Sequence, residues 1–110
     1  MAVGRAVLKY QRISPKKVKP VMDLIRGKSV PQAEAILAFS KKKAARLIEK
    51  ALKAAIASYT EKHQVEREQL RIVEAKVDKG PTMRRIRPAW RGRAVLIRHR
   101  TSHITIQVSE

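Results

Sequence analysis

His99 and His103 stand four residues apart, and Ser102 directly precedes His103. These are the side-chain types that most often hold a metal or carry nucleophilic catalysis. On a helix, a four-residue spacing sets two imidazoles on one face, where they can chelate. Around these residues, however, the apolar positions alternate with period two: Ile104, Ile106 and Val108 against His103, Thr105 and Gln107. On a strand the two rings share a face but lie about 13 Å apart, too far for one ion. No carboxylate neighbours them, and Ser102–His103 lacks the glycines of a nucleophile elbow. Glu34, Glu49 and Glu61 are scattered on helix surfaces and form no acid–base pair. The glycines make no phosphate-binding loop, and the absence of cysteine excludes thiolate metal sites, disulfides and cysteine nucleophiles. No catalytic residue, metal site or cofactor is expected.

The chemistry that remains is cationic. Among 110 residues, 26 are Lys or Arg and 9 are Asp or Glu, a net charge of +17. The excess sits at the two ends of the chain. Arg5, Lys9, Arg12, Lys16, Lys17 and Lys19 lie in residues 1–22 without any acid. Arg84, Arg85, Arg87, Arg91, Arg93, Arg98 and Arg100 lie in residues 80–109, again without any acid and without any lysine. Arginine presents a flat fork that pairs bidentately with phosphate and stacks on bases, whereas lysine is a hydrated point charge. A merely solubilising face would mix lysines with acids. The pattern points to a polyanion, and to nucleic acid first. Lys41–Lys42–Lys43 precedes a helical run, where positive charge opposes the helix dipole. Either a bound phosphate relieves that conflict or the run is simply solvated.

The elements that must position these charges follow from periodicity. Apolar residues make up 44% of the chain, enough for a core. Gly4–Tyr10 reads as a strand with Ala6, Leu8 and Tyr10 on one face. Ser14–Pro15 is a helix start, followed by a stripe of Val18, Val21, Met22 and Ile25 and a stop at Gly27. Pro20 conflicts with that helix, which either kinks there or becomes regular only near Pro20. Ser29 and Gln32 resemble a capping box for a short second helix ending near Phe39. Ser40 is expected to cap the third, whose stripe runs Ala44, Leu47, Ile48, Ala51, Leu52, Ala55, Ile56 and Tyr59. Ala51, Ala54, Ala55 and Ala57 would admit another element closely. Lys62–Gln69 reads as a polar connector. From Leu70 the period becomes two, with Val73, Ala75 and Val77 expected on one face.

Residues 70–108 then read as one long antiparallel hairpin turning near Pro88–Arg91. Arms of ~18 residues reach ~55–60 Å, against a body ~25–30 Å across. The distal half therefore cannot pack on the body, and isolated two-stranded ribbons are marginal in water. A ribbon carrying Met83, Ile86, Trp90 and many arginines needs an external partner. Trp90 is the single Trp; it stacks on a base, lines a cavity or folds back on the ribbon. No apolar run approaches the ~18–20 residues of a membrane span, and Met1–Arg5 does not open a secretory signal.

These pieces resemble the large-subunit ribosomal protein twenty-two family, bacterial type. The resemblance rests on Ser14-Pro15-Lys16-Lys17-Val18, Asp23-Leu24-Ile25-Arg26-Gly27-Lys28, Val77-Asp78-Lys79-Gly80-Pro81, Gly92-Arg93-Ala94 and Arg100-Thr101-Ser102-His103-Ile104-Thr105. It covers nearly the whole chain in order. It implies an α+β fold, with three helices packed on a three-stranded antiparallel sheet and a long protruding β-hairpin. It implies one domain over residues 1–110, with a globular body at 1–79 and 94–110 and a hairpin tip at about 80–93. The implied role is structural, in a cytoplasmic ribosome: binding large-subunit ribosomal RNA, aiding assembly and lining the nascent-peptide exit tunnel. The RNA contacts would be Arg5, Lys9, Arg12, Lys16, Lys17, Lys19, Arg26, Lys28, Arg84, Arg85, Arg87, Arg91, Arg93, Arg98 and Arg100. The tunnel-lining tip would be Met83, Arg84, Arg85, Ile86, Arg87, Pro88, Ala89, Trp90 and Arg91, with Met83–Arg85 matching the family's macrolide-sensitive segment. The implied partners are the ribosomal RNA, neighbouring ribosomal proteins and, transiently, the nascent peptide, with no membrane and one copy per ribosome. Ala89–Trp90, Ser58 and Pro20 depart from the family pattern. A DNA-binding architectural protein is the main rival class; a cationic membrane-active protein fits less well, because the arginines follow a strand.

Overall fold

The computed structural model describes residues 3–88, 90–92 and 94–110, with the backbone alone described at 85, 87, 88, 90 and 95–97. Eight principal elements follow in order: β1 (Gly4–Gln11), α1 (Pro15–Ile25), α2 (Val30–Phe39), α3 (Lys43–Thr60), β2 (Arg71–Lys79), β3 (Met83–Pro88), β4 (Ala94–His99) and β5 (Ser102–Ser109). The fold is α+β, with an antiparallel three-stranded sheet ordered β1–β5–β2 and a separate two-stranded ribbon of β3 and β4.

The helices begin where their caps dictate. Ser14 Oγ accepts the Lys16 N–H and Pro15 is the first helical residue; a fixed φ and a missing donor cost nothing there. The helix runs on through Pro20 to Ile25, so α1 is one element, and Gly27 follows at φ +79°. At α2 both halves of the capping box form: Ser29 Oγ accepts from the Gln32 backbone N–H, and Gln32 Oε1 accepts from the Ser29 backbone N–H. Ser40 ends α2 instead of starting α3. Its hydroxyl accepts the Lys42 N–H at 3.3 Å, and Lys42 is the N-cap of α3 without a side-chain cap of its own.

The core lies between the helices and the inner face of the sheet. Val18, Val21, Met22 and Ile25 of α1, Ile48, Leu52 and Tyr59 of α3, and Ile104, Ile106 and Val108 of β5 are all buried. Full burial of one such aliphatic side chain stabilises by about 1.5–3 kcal/mol. Of the four alanines expected to face a neighbour, Ala51 and Ala55 are buried while Ala54 and Ala57 are exposed. β5 is the central strand, and even its polar Ser102, Thr105 and Ser109 are buried. Ser102 Oγ is satisfied by donating to Ile13 O at 2.6 Å.

Two irregularities in the ladders correct the simple alternation. The β1–β5 register shifts between Leu8 and Gln11, where Tyr10 adopts φ 58° and stands 63% exposed. It leaves the Ala6–Leu8 face and packs edge-on against His103, ring centroids 4.9 Å apart. The β2–β5 register shifts between Ile72 and Glu74. Ile72 and Ala75 are therefore buried while Val73 is exposed. An extra residue in one strand flips the faces beyond it.

The long hairpin expected over residues 70–108 is seen in part, as two separate antiparallel ladders. The first ends at Lys79–Ser102 and the second begins at Met83–His99, ending at Pro88–Ala94. The ribbon pairs Met83–Pro88 with Ala94–His99. Between the ladders, Gly80 N–H donates to Thr101 O at 2.9 Å, and Thr101 Oγ1 donates to Pro81 O at 2.6 Å. A Cβ on Gly80 would collide with Thr101 Oγ1 and crowd the His103 ring, so glycine is the residue that lets the legs cross here. The molecule measures 63 × 25 × 16 Å; its length is more than twice its width.

Candidate nucleic-acid interface

The cations divide into those the fold uses and those it leaves outward, and of the residues expected to contact RNA, Arg26 falls in the first group. Arg26 is used: its Nε and Nη2 donate to Ala75 O at 3.1 and 2.6 Å, and its Nη1 meets Asp23 at 2.5 Å. The guanidinium ties the end of α1 to the edge strand β2. Arg46 is used likewise, donating to Leu37 O and Ser40 O and pairing with Glu49. Arg67 pairs with Glu34. None of these structural roles was visible locally in sequence, although Asp23–Arg26 and Arg46–Glu49 have the three-residue spacing of helical ion pairs.

Arg5, Lys9, Arg12, Lys16, Lys17, Lys19 and Lys28 are exposed. Arg5, Val7 and Lys9 are exposed on β1, and on the opposite edge strand Lys76 meets Glu74 at 3.5 Å. Lys16, Lys17 and Lys19 belong to the first turns of α1. In the ribbon, Arg84 stands opposite Arg98 and Arg85 opposite Ile97. Like charges placed opposite each other on a ladder disfavour the pairing. Arg91 (φ 59°) and Gly92 (φ 72°) form the left-handed part of the turn, within a 3-10 segment Trp90–Gly92. Ala89 and Arg93 lie outside the described residues, as do the side chains of Arg85, Arg87, Pro88 and Trp90; the alternatives for Trp90 fall there too.

The strongest convergence was not legible in the sequence. A cleft of about 470 Å³ is lined by Arg12, Ser14 and Lys17 from the start of α1, Lys43 from the start of α3, and Arg98, His99 and Arg100 from the root of the ribbon, over Ile13. A second hollow of about 380 Å³ shares Ile13, Lys17 and Lys43 and adds Lys16, Pro20 and Lys42. Two of the three lysines at 41–43 therefore face a shared cationic depression. The hollow bounded by Glu34, Glu49, Lys53 and Arg67 is different, mixed in sign and about 250 Å³.

His99 is in the ribbon and His103 in the body sheet, and His103 Nδ1 accepts the Tyr10 N–H at 3.1 Å. No group of three or more metal-ligating side chains forms among the described residues. Among the described residues, Tyr59 is shifted in its titration. Tyr59 lies above the ordinary tyrosine range because its hydroxyl donates to Glu110 at 2.7 Å, with burial and the carboxylate's charge adding to the effect.

Comparison with known proteins agrees over nearly the whole length. The family model described as ribosomal protein L22p/L17e matches residues 6–109. The large ribosomal subunit protein uL22 of Carboxydothermus hydrogenoformans is 53% identical over 107 residues, covering 97% of this chain and 95% of the relative. The uL22 of Halothermothrix orenii is 53% identical with the same coverage. That of Rubrobacter xylanophilus is 51% identical over 104 residues, covering 94% of this chain and 82% of the relative. The match over residues 6–109 and the bacterial relatives at about 50% identity lead to one assignment: the chain belongs to the ribosomal protein L22p/L17e family, whose members are structural components and not enzymes.

Proposed function

We propose that this chain is a structural constituent of the large subunit of the cytoplasmic ribosome, that it binds large-subunit ribosomal RNA through its body and ribbon, and that the ribbon tip lines the nascent-peptide exit tunnel. It acts as one domain over residues 1–110, as a single copy beside neighbouring ribosomal proteins, and its tip meets the nascent peptide transiently. The observation that carries this reading is the ribbon: two strands rich in arginine, without a third strand, extending a molecule 63 Å long and 25 Å wide. Such a ribbon gains its neighbours from outside. RNA helices offer phosphates and ribose hydroxyls read by shape, and arginine forks on both strands pair with phosphates on either side. Phosphate contacts fix position and orientation without reading sequence, which suits a scaffold role. The relatives' shared name supports the ribosomal setting; the tunnel assignment rests on the likeness of residues 83–91 to the family's tip.

The test is a variant in which Arg84, Arg85, Arg87 and Arg93 are replaced by Gln. Circular dichroism should keep its helix signal, while co-sedimentation with large subunits should fall at moderate salt. Undiminished sedimentation, or a preference for duplex DNA over ribosomal RNA fragments in competition, would count against the reading.

A further inference from the structure

We infer that the cleft at the ribbon root is a clamp for one RNA strand, whose phosphates bridge the body to the ribbon and so set the angle between them. The inference rests on the ribosomal RNA reading above and adds a site and a mechanical role to it. Its starting point is the sorting of charges. Arg26, Arg46 and Arg67 each meet a carboxylate. Arg12, Lys17, Lys43, Arg98 and Arg100 have no carboxylate within ion-pair distance among the described residues, yet they converge on one cavity from segments up to 88 positions apart in the chain.

Holding five like charges around one hollow is unfavourable unless an anion enters it. The volume, about 470 Å³, falls in the ~300–1,000 Å³ range of ligand sites. The donors suit phosphodiester oxygens: three guanidinium forks, two ammonium groups, and the Ser14 hydroxyl, whose oxygen already caps α1 and whose proton is left to donate. Among the described residues of the lining, Ile13 alone has an apolar side chain. Its walls belong to different bodies: Arg12, Lys17 and Lys43 to the helical side, Arg98 and Arg100 to the ribbon and the joint beneath it. The joint's own bonds, Gly80 to Thr101 and Thr101 to Pro81, hold the two legs to each other. An anion touching both walls supplies a link from the ribbon to the helices.

The experiment uses the whole chain. It contains no cysteine, so cysteines placed at Ala54 on α3 and Ile86 on the ribbon, both exposed, take a unique pair of spin labels. A transcript of bacterial large-subunit ribosomal RNA should narrow the distance distribution between them. The cleft variant R12Q/K43Q/R98Q should bind the transcript about tenfold more weakly at moderate salt, lower the log–log salt slope by about two, and keep a broad distribution when bound. The control K50Q/K53Q/K62Q, equal in charge change and away from the cleft, should narrow as the parent does; circular dichroism checks that both variants fold. Equal losses in the two variants, or normal narrowing in the cleft variant, overturn the clamp while leaving RNA binding intact. Narrowing by inorganic phosphate alone overturns the strand and makes the cleft a small-anion site. Failure of the parent to bind the transcript removes the ribosomal RNA reading and the clamp together.

Discussion

Arg26 shows how one guanidinium can be read two ways. It sits in Asp23-Leu24-Ile25-Arg26-Gly27-Lys28, a segment expected to contact RNA, and the fold directs it at the Ala75 carbonyl and Asp23. A planar fork can hold one carbonyl with two N–H groups; an ammonium cannot. Replacing Arg26 by Lys is expected to lower stability by about 1–2 kcal/mol, measured as a shift of the urea midpoint, with little change in RNA affinity beside a cleft variant. Tyr59 supplies a pH signature. Its raised pKa means the folded state holds the phenolic proton more tightly than the unfolded chain does. That contribution is complete below about pH 10, the ordinary tyrosine value, and is lost as pH rises through the raised folded value. Urea midpoints between pH 8 and 11 should fall steeply for the native chain and less steeply for Tyr59→Phe. The hydroxyl's partner, Glu110, is 51 residues away, and no periodicity announces such a pair.

At the scale of elements, the local rules were legible wherever the interaction is local. Ser14–Pro15, Ser29–Gln32 and the α1 and α3 stripes could be read because caps and 3.6-residue periods need only near neighbours. The bulges at Leu8–Gln11 and Ile72–Glu74 could not, because register is settled by the partner strand β5. Ser40 differs from its expected place for a similar reason: it closes α2, and its hydroxyl accepts the Lys42 N–H at the bend before α3. Pro20 is the element with a built-in cost. Its ring cannot donate to the Lys16 carbonyl, yet α1 passes through it unbroken. Pro20→Ala should raise the midpoint of thermal unfolding by several degrees, a gain of about 1–3 kcal/mol less the entropy that the freer unfolded chain regains. An unchanged midpoint would mean that Pro20 already sits without strain.

For the whole molecule, the charge asymmetry in the sequence announced the partner's sign, and the length of the two-period segment announced a ribbon that outgrows its body. What stayed hidden was assembly in space. Residues 12–17, 43 and 98–100 meet only after the sheet closes, because β5 returns between β1 and β2 and carries the ribbon root to the helix starts. The resulting surface should make RNA association steeply salt-dependent. With ~8–10 phosphates neutralised, affinity should drop by about three to five decades between low and moderate salt. A titration over that range by filter binding or fluorescence checks it, and a shallow slope would mean that few of these cations reach phosphate.

On the proposed function, the β3–β4 ribbon takes its order from nucleic acid. Hydrogen exchange of the amides in Met83–Pro88 and Ala94–His99, compared between the free chain and its complex with large-subunit ribosomal RNA, tests this directly. The account predicts rapid exchange in the free chain and slowing of at least about a hundredfold in the complex, while the β1–β5–β2 amides are protected in both. Ribbon amides as strongly protected in the free chain as in the complex would contradict it.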